Sequence, residues 1–309
     1  MNHKNKKGFQ ISFAWLFAII AGGFILFLAI YGVTKIMDTG GEITSAKTGI
    51  ELRVLLNPLE TGFESGRTVL LTMPVETRIH NKYSLYGNFG AQIIQIDQKS
   101  YGKWSQTEID VRFPNKYIFS DSIIEGKKFF IFSKPFKFPF KVADVIYLTS
   151  SEKNYCFINA PERIEDELSD LNQKNLLVEN CPAESVKICF DTVAFQECDI
   201  NVNENLGSVK KQGNIVYYET DALMYAAIFS YRNAYEHQVK RLMQRTNELL
   251  LLYDTKAVLL SDQGCPQDVN LFVFRSIVNN IQDSADLMGV ANAANDVKRE
   301  NDRAVCRLW

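Results

Sequence analysis

Histidine is almost missing from this chain of 309 residues, which has only His3, His80 and His237. A zinc site or an imidazole base therefore has few residues to draw on. No G-x-S-x-G elbow, H-E-x-x-H pair, Walker loop, G-x-G-x-x-G turn or C-x-x-C pair occurs. The usual signatures of nucleophilic, metalloprotease, nucleotide and dithiol chemistry are thus excluded. A basic excess is also lacking: Lys plus Arg number 34 against 36 Asp plus Glu, so no global field points to nucleic acid. Two further absences are local. Residues 1–37 contain no acid, and residues 1–155 contain no cysteine.

What is present fits an ordered protein: 46% hydrophobic, 23% charged and 12% aromatic residues exclude disorder and collagen-like repeats. The acid-free start holds Lys4, Lys6, Lys7 and Lys35; the whole chain carries −2, so residues 38–309 sum to −6. From Ile11 to Val33 no charge occurs over 23 residues. As a helix that run is about 35 Å long, enough for a bilayer core of ~30 Å. It exceeds the usual apolar core of a cleaved secretory signal, and no small-residue cleavage site closes it, so an uncleaved anchor is expected. Trp15 and Tyr31 stand toward its two ends, as interfacial aromatics do. The lysines before it place residues 1–10 in the cytoplasm and export the remainder. Ala14, Ala18 and Gly22 recur at four-residue steps, a small-residue face on which two membrane helices could pack.

Lys6-Lys7-Gly8 followed by Gln10-Ile11-Ser12-Phe13 and the apolar run resembles the class III signal peptide of archaeal type IV pilin-like proteins. That resemblance implies a peptidase cut just before the helix and a helix that packs into a filament core. Pro135-Phe136-Lys137 to Asp144, Cys156 to Arg163, and Lys240-Arg241-Leu242-Met243 are similar to uncharacterised single-pass archaeal membrane proteins. This wider similarity implies no activity.

The expected fold class is α+β. A transmembrane helix over 11–36 follows the tail 1–10, a small polar stalk covers 37–49, a β-rich exported domain covers 50–219, and an antiparallel long-helix hairpin covers 220–309. Strands are expected at Ile93–Ile96, Ile109–Phe113, Lys128–Phe132, Phe136–Val142 and Val145–Leu148, and again near Leu176–Glu179, Val186–Phe190, Asp199–Asn203 and Ile215–Tyr218. Pro161–Leu171 reads as a short helix burying Ile164, Leu168 and Leu171, its acids favouring the helix N-terminus. Ile228, Tyr231, Tyr235, Val239, Leu242, Thr246, Leu249 and Tyr253 repeat at three- and four-residue steps. They predict one helix over Asp221–Leu260 with a coiled-coil-like seam. A second helix carries Val273, Ile277, Ile281 and Met288 and packs back on the first after the turn at Gly264–Pro266.

All six cysteines, Cys156, Cys181, Cys189, Cys198, Cys265 and Cys306, lie in the exported part. Their even number predicts disulfides of open connectivity, with buried thiols or a metal site as alternatives; no metal-knuckle spacing supports the last. Asp199, Asn201, Asn203 and Asn205 alternate like a calcium loop, but Glu204 and Lys210 stand where its glycine and terminal acid belong. A half-buried strand is expected there instead. His237, between charged neighbours, reads as a solvated or capping residue. Between Lys127 and Lys141, lysines interleave with phenylalanines, which reads as a sheet-edge strand with Phe136, Phe138 and Phe140 inward. The alternative is an interaction surface including Phe136, Lys137 and Phe138. Leu249 and Leu252 are the corresponding surface candidates on the long helix.

These features predict a non-enzymatic, membrane-anchored surface protein acting by interaction or as a structural part. A pilin-like filament subunit is the alternative, and a cell-surface hydrolase a second. No catalytic residue, cofactor, metal, nucleic acid or small-molecule substrate is expected. The expected partners are membrane lipid, envelope proteins, or a second copy met through the membrane helix and the C-terminal helices.

Overall fold

The computed structural model describes residues 13–33, 68–84, 90–100, 102–105, 110–191, 198–266 and 269–309. The cytoplasmic tail, the Gly8 processing site and the stalk expected above lie outside the described residues. Helix α1 (Phe13–Val33) has a mean hydropathy of 2.6, and none of its apolar window is buried against the rest of the chain. A 21-residue helix that is apolar all round is of membrane-crossing length.

Seven strands form the first sheet: β1 (Val69–Ser84), β2 (Ala91–Ser100), β3 (Lys103–Ser105), β4 (Asp110–Phe113), β5 (Tyr117–Phe119), β6 (Ile123–Lys137) and β7 (Lys141–Ser150). Their order is β3-β2-β1-β6-β7-β5, with β4 also on β2. Only the β5–β7 pair is parallel. Ile94, Ile96 and Phe113 from one end of this order share a buried cluster with Ile118, Ile146 and Leu148 from the other. The sheet therefore curls onto itself. Side chains close the remaining gap, because Gln92 accepts from the Ile118 backbone N–H at 2.9 Å and Asn81 donates to Ser120 at 2.8 Å. Gln92 also donates to Asn81, so the seam is a chain of amides.

Six short strands form the second sheet, in the order β13-β12-β11-β10-β8-β9. They are β8 (Tyr155–Ile158), β9 (Leu176–Val178), β10 (Val186–Phe190), β11 (Ile200–Asn203), β12 (Ser208–Lys211) and β13 (Asn214–Tyr217). β9, β8, β10 and β11 run parallel, and the last pairs are antiparallel. Helix α2 (Glu162–Leu171) connects β8 to β9 and buries Ile164, Leu168 and Leu171, the residues its spacing predicted. Its left-handed cap falls on Asn172.

Helix α3 (Asp221–Phe229) buries every residue after Asp221. Phe132 and Tyr147 of the first sheet and Tyr155 and Phe157 of the second all pack on its Tyr225 and Phe229 rings. The helix is therefore a filling between the two sheets. One core joins it to both sheets and to the C-terminal helices, so the change at residue 220 marks a switch of secondary structure within one core.

The expected single helix over Asp221–Leu260 is two helices. α3 stops at Phe229, and α4 (Arg232–Asp262) begins after the two intervening residues Ser230 and Tyr231. No glycine or proline explains the break. Lys211 from β12 donates to the carbonyls of Ile228 and Ser230, both at 3.1 Å, meeting acceptors that a helix end leaves open. The second expected helix is likewise divided into α5 (Leu271–Asn279), a 3-10 turn at Ser284–Asp286, and α6 (Leu287–Arg303). α5 buries Leu271, Phe274 and Val278; of the predicted stripe, Ile277 and Ile281 pack partly against the core, whereas Val273 and Met288 are exposed. The break falls at Asn280–Asp283, where Asp283 and Asp286 form a capping box, and Gly289 lies inside α6.

Candidate functional site

The cysteines pair completely, as Cys156–Cys181, Cys189–Cys198 and Cys265–Cys306. The first two staple the second sheet, and the third ties the residues after α4 to those after α6. Closing loops of 9 to 41 residues removes roughly 2.5–4 kcal/mol of denatured-state freedom each, in the chain-entropy account. Three bridges fit an oxidising compartment.

Several residues singled out by their chemistry have structural partners. Among the described residues no group of three or more His, Cys, Asp or Glu is placed to hold a metal. On β11, Ile200 and Val202 are buried, while Asp199 and Asn203 accept from the backbone N–H groups of Lys187 and Leu206. Glu167 of the acidic helix α2 pairs with Lys134 at 2.6 Å and accepts from Tyr225. His80 meets the Asp97 carboxylate at 2.8 Å. His237 departs from its expected solvated role: it is 8% exposed and stacks on Tyr83 at 4.3 Å. Burial, with Arg241 and Lys240 adding to it, pushes the His237 imidazole down to about 4.

The Lys127–Lys141 stretch resolves in favour of packing. Phe136, Phe138 and Phe140 all belong to the core, so Phe136 and Phe138 offer no surface, and only Lys137 of that trio is exposed. Pro135 lies where β6 has passed the end of β1 and, among the described residues, pairs with β7 alone, a local edge inside an otherwise central strand. Phe140 packs on Tyr253 and Trp309 at 4.6 and 5.3 Å, fixing the middle of α4 to the first sheet.

Charge is drawn inward at two places, one buried and one half-buried. Arg241 is 2% exposed and donates to the carbonyls of Lys116 and Pro114 at 2.9 and 2.7 Å and to Gln238 at 2.7 Å. Gln238 in turn donates to Gln92, so α4 extends the amide seam of the first sheet. The second place is Asp121, held between Lys153 at 2.6 Å and Lys211 at 3.1 Å. Burial alone would raise the Asp121 carboxyl, but the two lysines outweigh it and hold the group below its ordinary value. A cavity of about 30 Å³ beside Lys211, lined by Asn214, Ser230 and Tyr231, is of water size rather than substrate size.

The outward side of α4 stands apart from these satisfied groups. Tyr235, Val239, Leu242 and Thr246 face the core as predicted, and Leu249 and Tyr253 pack partly against it. A second line of residues, Arg245, Glu248, Leu252, Thr255, Leu259 and Asp262, alternates at three- and four-residue steps, and every member is exposed. Leu252 is 62% and Leu259 57% exposed, and Leu251 and Val258 flank them on the same side, also exposed. The periodicity of this second line is that of a coiled-coil seam. Of the two surface candidates on this helix, Leu252 thus lies on the outward seam and Leu249 against the core. Arg275 of α5 donates to Asn247 and Asp254 of α4, and exposed Phe272 and Val273 add to the apolar surface of this region. On α1, Ala14, Ala18 and Gly22 lie along one exposed face.

Compared with known proteins, the chain matches no family model, no curated protein and no solved structure.

Proposed function

We propose that this protein is a single-pass, membrane-anchored module whose disulfide-bonded domain lies outside the cytoplasm and acts by contact rather than by catalysis. The observation that carries the proposal is the outward seam of α4, with four large aliphatic side chains exposed within nine residues. Soluble surfaces scatter such residues singly, and a contiguous set marks a place where another molecule sits. The lysines before α1 support a cytoplasmic N-terminus, and the three bridges support export of the remainder. α4 and α5 would then form a helical hairpin that presents Leu252, Leu259 and Phe272 to envelope partners.

The test is in-membrane cross-linking of the full chain, comparing wild type with Leu252→Asp and Leu259→Asp. Loss of cross-linked species, with unchanged melting and unchanged disulfides, supports the reading. Identical cross-linking by both variants would show that this face is not the interface.

A second reading, a pilin-like filament subunit, is favoured by Lys6-Lys7-Gly8 ahead of the apolar run and by the small-residue face of α1. N-terminal sequencing of the native protein separates the two. A start at Phe9 or Gln10 supports processing, whereas an intact Met1 or Asn2 supports a fixed anchor.

A further inference from the structure

We infer that the outward seam of α4 binds the same seam on a second copy of this chain, antiparallel, in the register that sets Arg245 of each copy opposite Asp262 of the other. The inference deepens the contact reading above and rests on it.

The seam has six exposed positions, 245, 248, 252, 255, 259 and 262. When a helix pairs antiparallel with its own copy, facing positions have a constant sum. One sum matches all six positions among themselves: 245 with 262, 248 with 259, and 252 with 255. Moving the pairing by one heptad in either direction leaves seam residues opposite the buried part of α4 or beyond its last residue, Asp262. In the complete register both ends carry an Arg–Asp pair, Leu252 of each copy faces Thr255 of the other, and Leu259 faces the side chain of Glu248. Leu251 faces Val258 along the flank. Arg245 and Asp262 make no ion pair within the chain among the described residues. A parallel pairing would instead set Arg245, Glu248 and Asp262 each against its own kind, which is repulsive.

Size sets where this pairing holds. From 245 to 262 the seam is about 25 Å long, and a two-helix contact of that length covers on the order of 1,000 Å², the lower limit for a stable interface. Confinement to one membrane by α1 raises the effective concentration of the partner copy. Symmetry permits it: a two-fold axis perpendicular to both helices can stand along the membrane normal, keeping both anchors on one side. Residues 34–67 separate α1 from Thr68, and 34 residues reach over ~100 Å at full extension. The linkage therefore does not prevent the two domains from meeting.

The experiment uses full-length chain, singly labelled, in dilute proteoliposomes, with stoichiometry read by single-molecule photobleaching. Wild type is expected to show two-step bleaching. Arg245→Asp and Asp262→Arg should each lower the dimer fraction three- to ten-fold, and the double reversal should restore it, since the two Arg–Asp pairs re-form with exchanged sides. Leu252→Asp should leave monomers. Wild-type monomers, single variants equal to wild type, or a double variant that stays monomeric would each overturn the inference. The two proposals fail separately. If wild type is monomeric yet Leu252→Asp still removes cross-links to other envelope components, self-pairing falls and the contact reading stands. If Leu252→Cys in wild-type background is shielded from a water-soluble maleimide in a monomeric population, the occupant is lipid, and self-pairing is again overturned.

Discussion

The two sheets are held by different means. Strands of the first run to 16, 10, 15 and 10 residues in β1, β2, β6 and β7, and it contains no cysteine. Its closure depends on side-chain amides, Asn81, Gln92 and Gln238, with Arg241 clasping the turn that leads into β5. Strands of the second run to only three to five residues, and two disulfides cross it. Long ladders give enough cooperative pairing that polar closure suffices; short parallel strands gain from covalent limits on the unfolded chain. The difference is one of strand length, and it assigns each sheet its own point of weakness.

The largest expected effect attacks the first sheet. Arg241→Ala leaves the Lys116 and Pro114 carbonyls and Gln238 without their donor, at a cost of about 4 kcal/mol. Chemical denaturation of the full chain in detergent measures it, and a shift below 1 kcal/mol would show that the clasp is dispensable. Next, Cys156→Ser with Cys181→Ser should cost roughly 3 kcal/mol. Hydrogen exchange should then accelerate in β8–β10 and leave β1, β2 and β6 unchanged; uniform acceleration would mean that the two sheets do not divide as described.

A third prediction concerns pH. His237 lies against Tyr83 of the first sheet with its imidazole depressed to about 4, so the folded state keeps it neutral while the unfolded chain takes a proton below about 6.5. The unfolded state then binds more protons between those values, and stability falls as pH drops through that window. Between pH 7 and 5 the loss is about 2 kcal/mol, and His237→Gln should flatten it in paired denaturation curves. The smallest effect is on the outward seam: in protein diluted to the monomer, Leu252→Asp should change stability by less than ~0.5 kcal/mol because that side chain is exposed in the single chain. A larger loss would place Leu252 in the core after all.

These contrasts also explain what the sequence disclosed. The charge-free run of α1, the buried face of α2, the bounds of β10 and the even cysteine count each depend on neighbours close along the chain, and all were legible. β1 was not, because Thr77 and Asn81 point inward and break its apolar alternation, Asn81 to serve the amide seam and Thr77 to donate to the Val75 carbonyl on its own strand. The stop after α3 was illegible for a similar reason: its signal is Lys211, which precedes the helix by a whole strand and turn. Phe136 and Phe138 were read inward from their alternation with Lys137, and both belong to the core, whereas the Phe140 contact with Tyr253 of α4 joins residues far apart along the chain. On α4 itself both seams stand in the sequence; the inner one dominates because its members are larger and more apolar, and the outer one emerges once the inner is covered.

The placement of α3 has a consequence for how the protein comes into being. A ribosome delivers the first sheet, then the second, and only then the nine residues that both sheets pack against. Until Tyr225 and Phe229 arrive, Phe132, Tyr147, Tyr155 and Phe157 have no common surface to close upon. A chain cut short at residue 219 would hold every strand described above and still lack the surface on which the two sheets meet. The first sheet can close its own smaller cluster early, but the core that the two sheets share is completed only when the keystone is set.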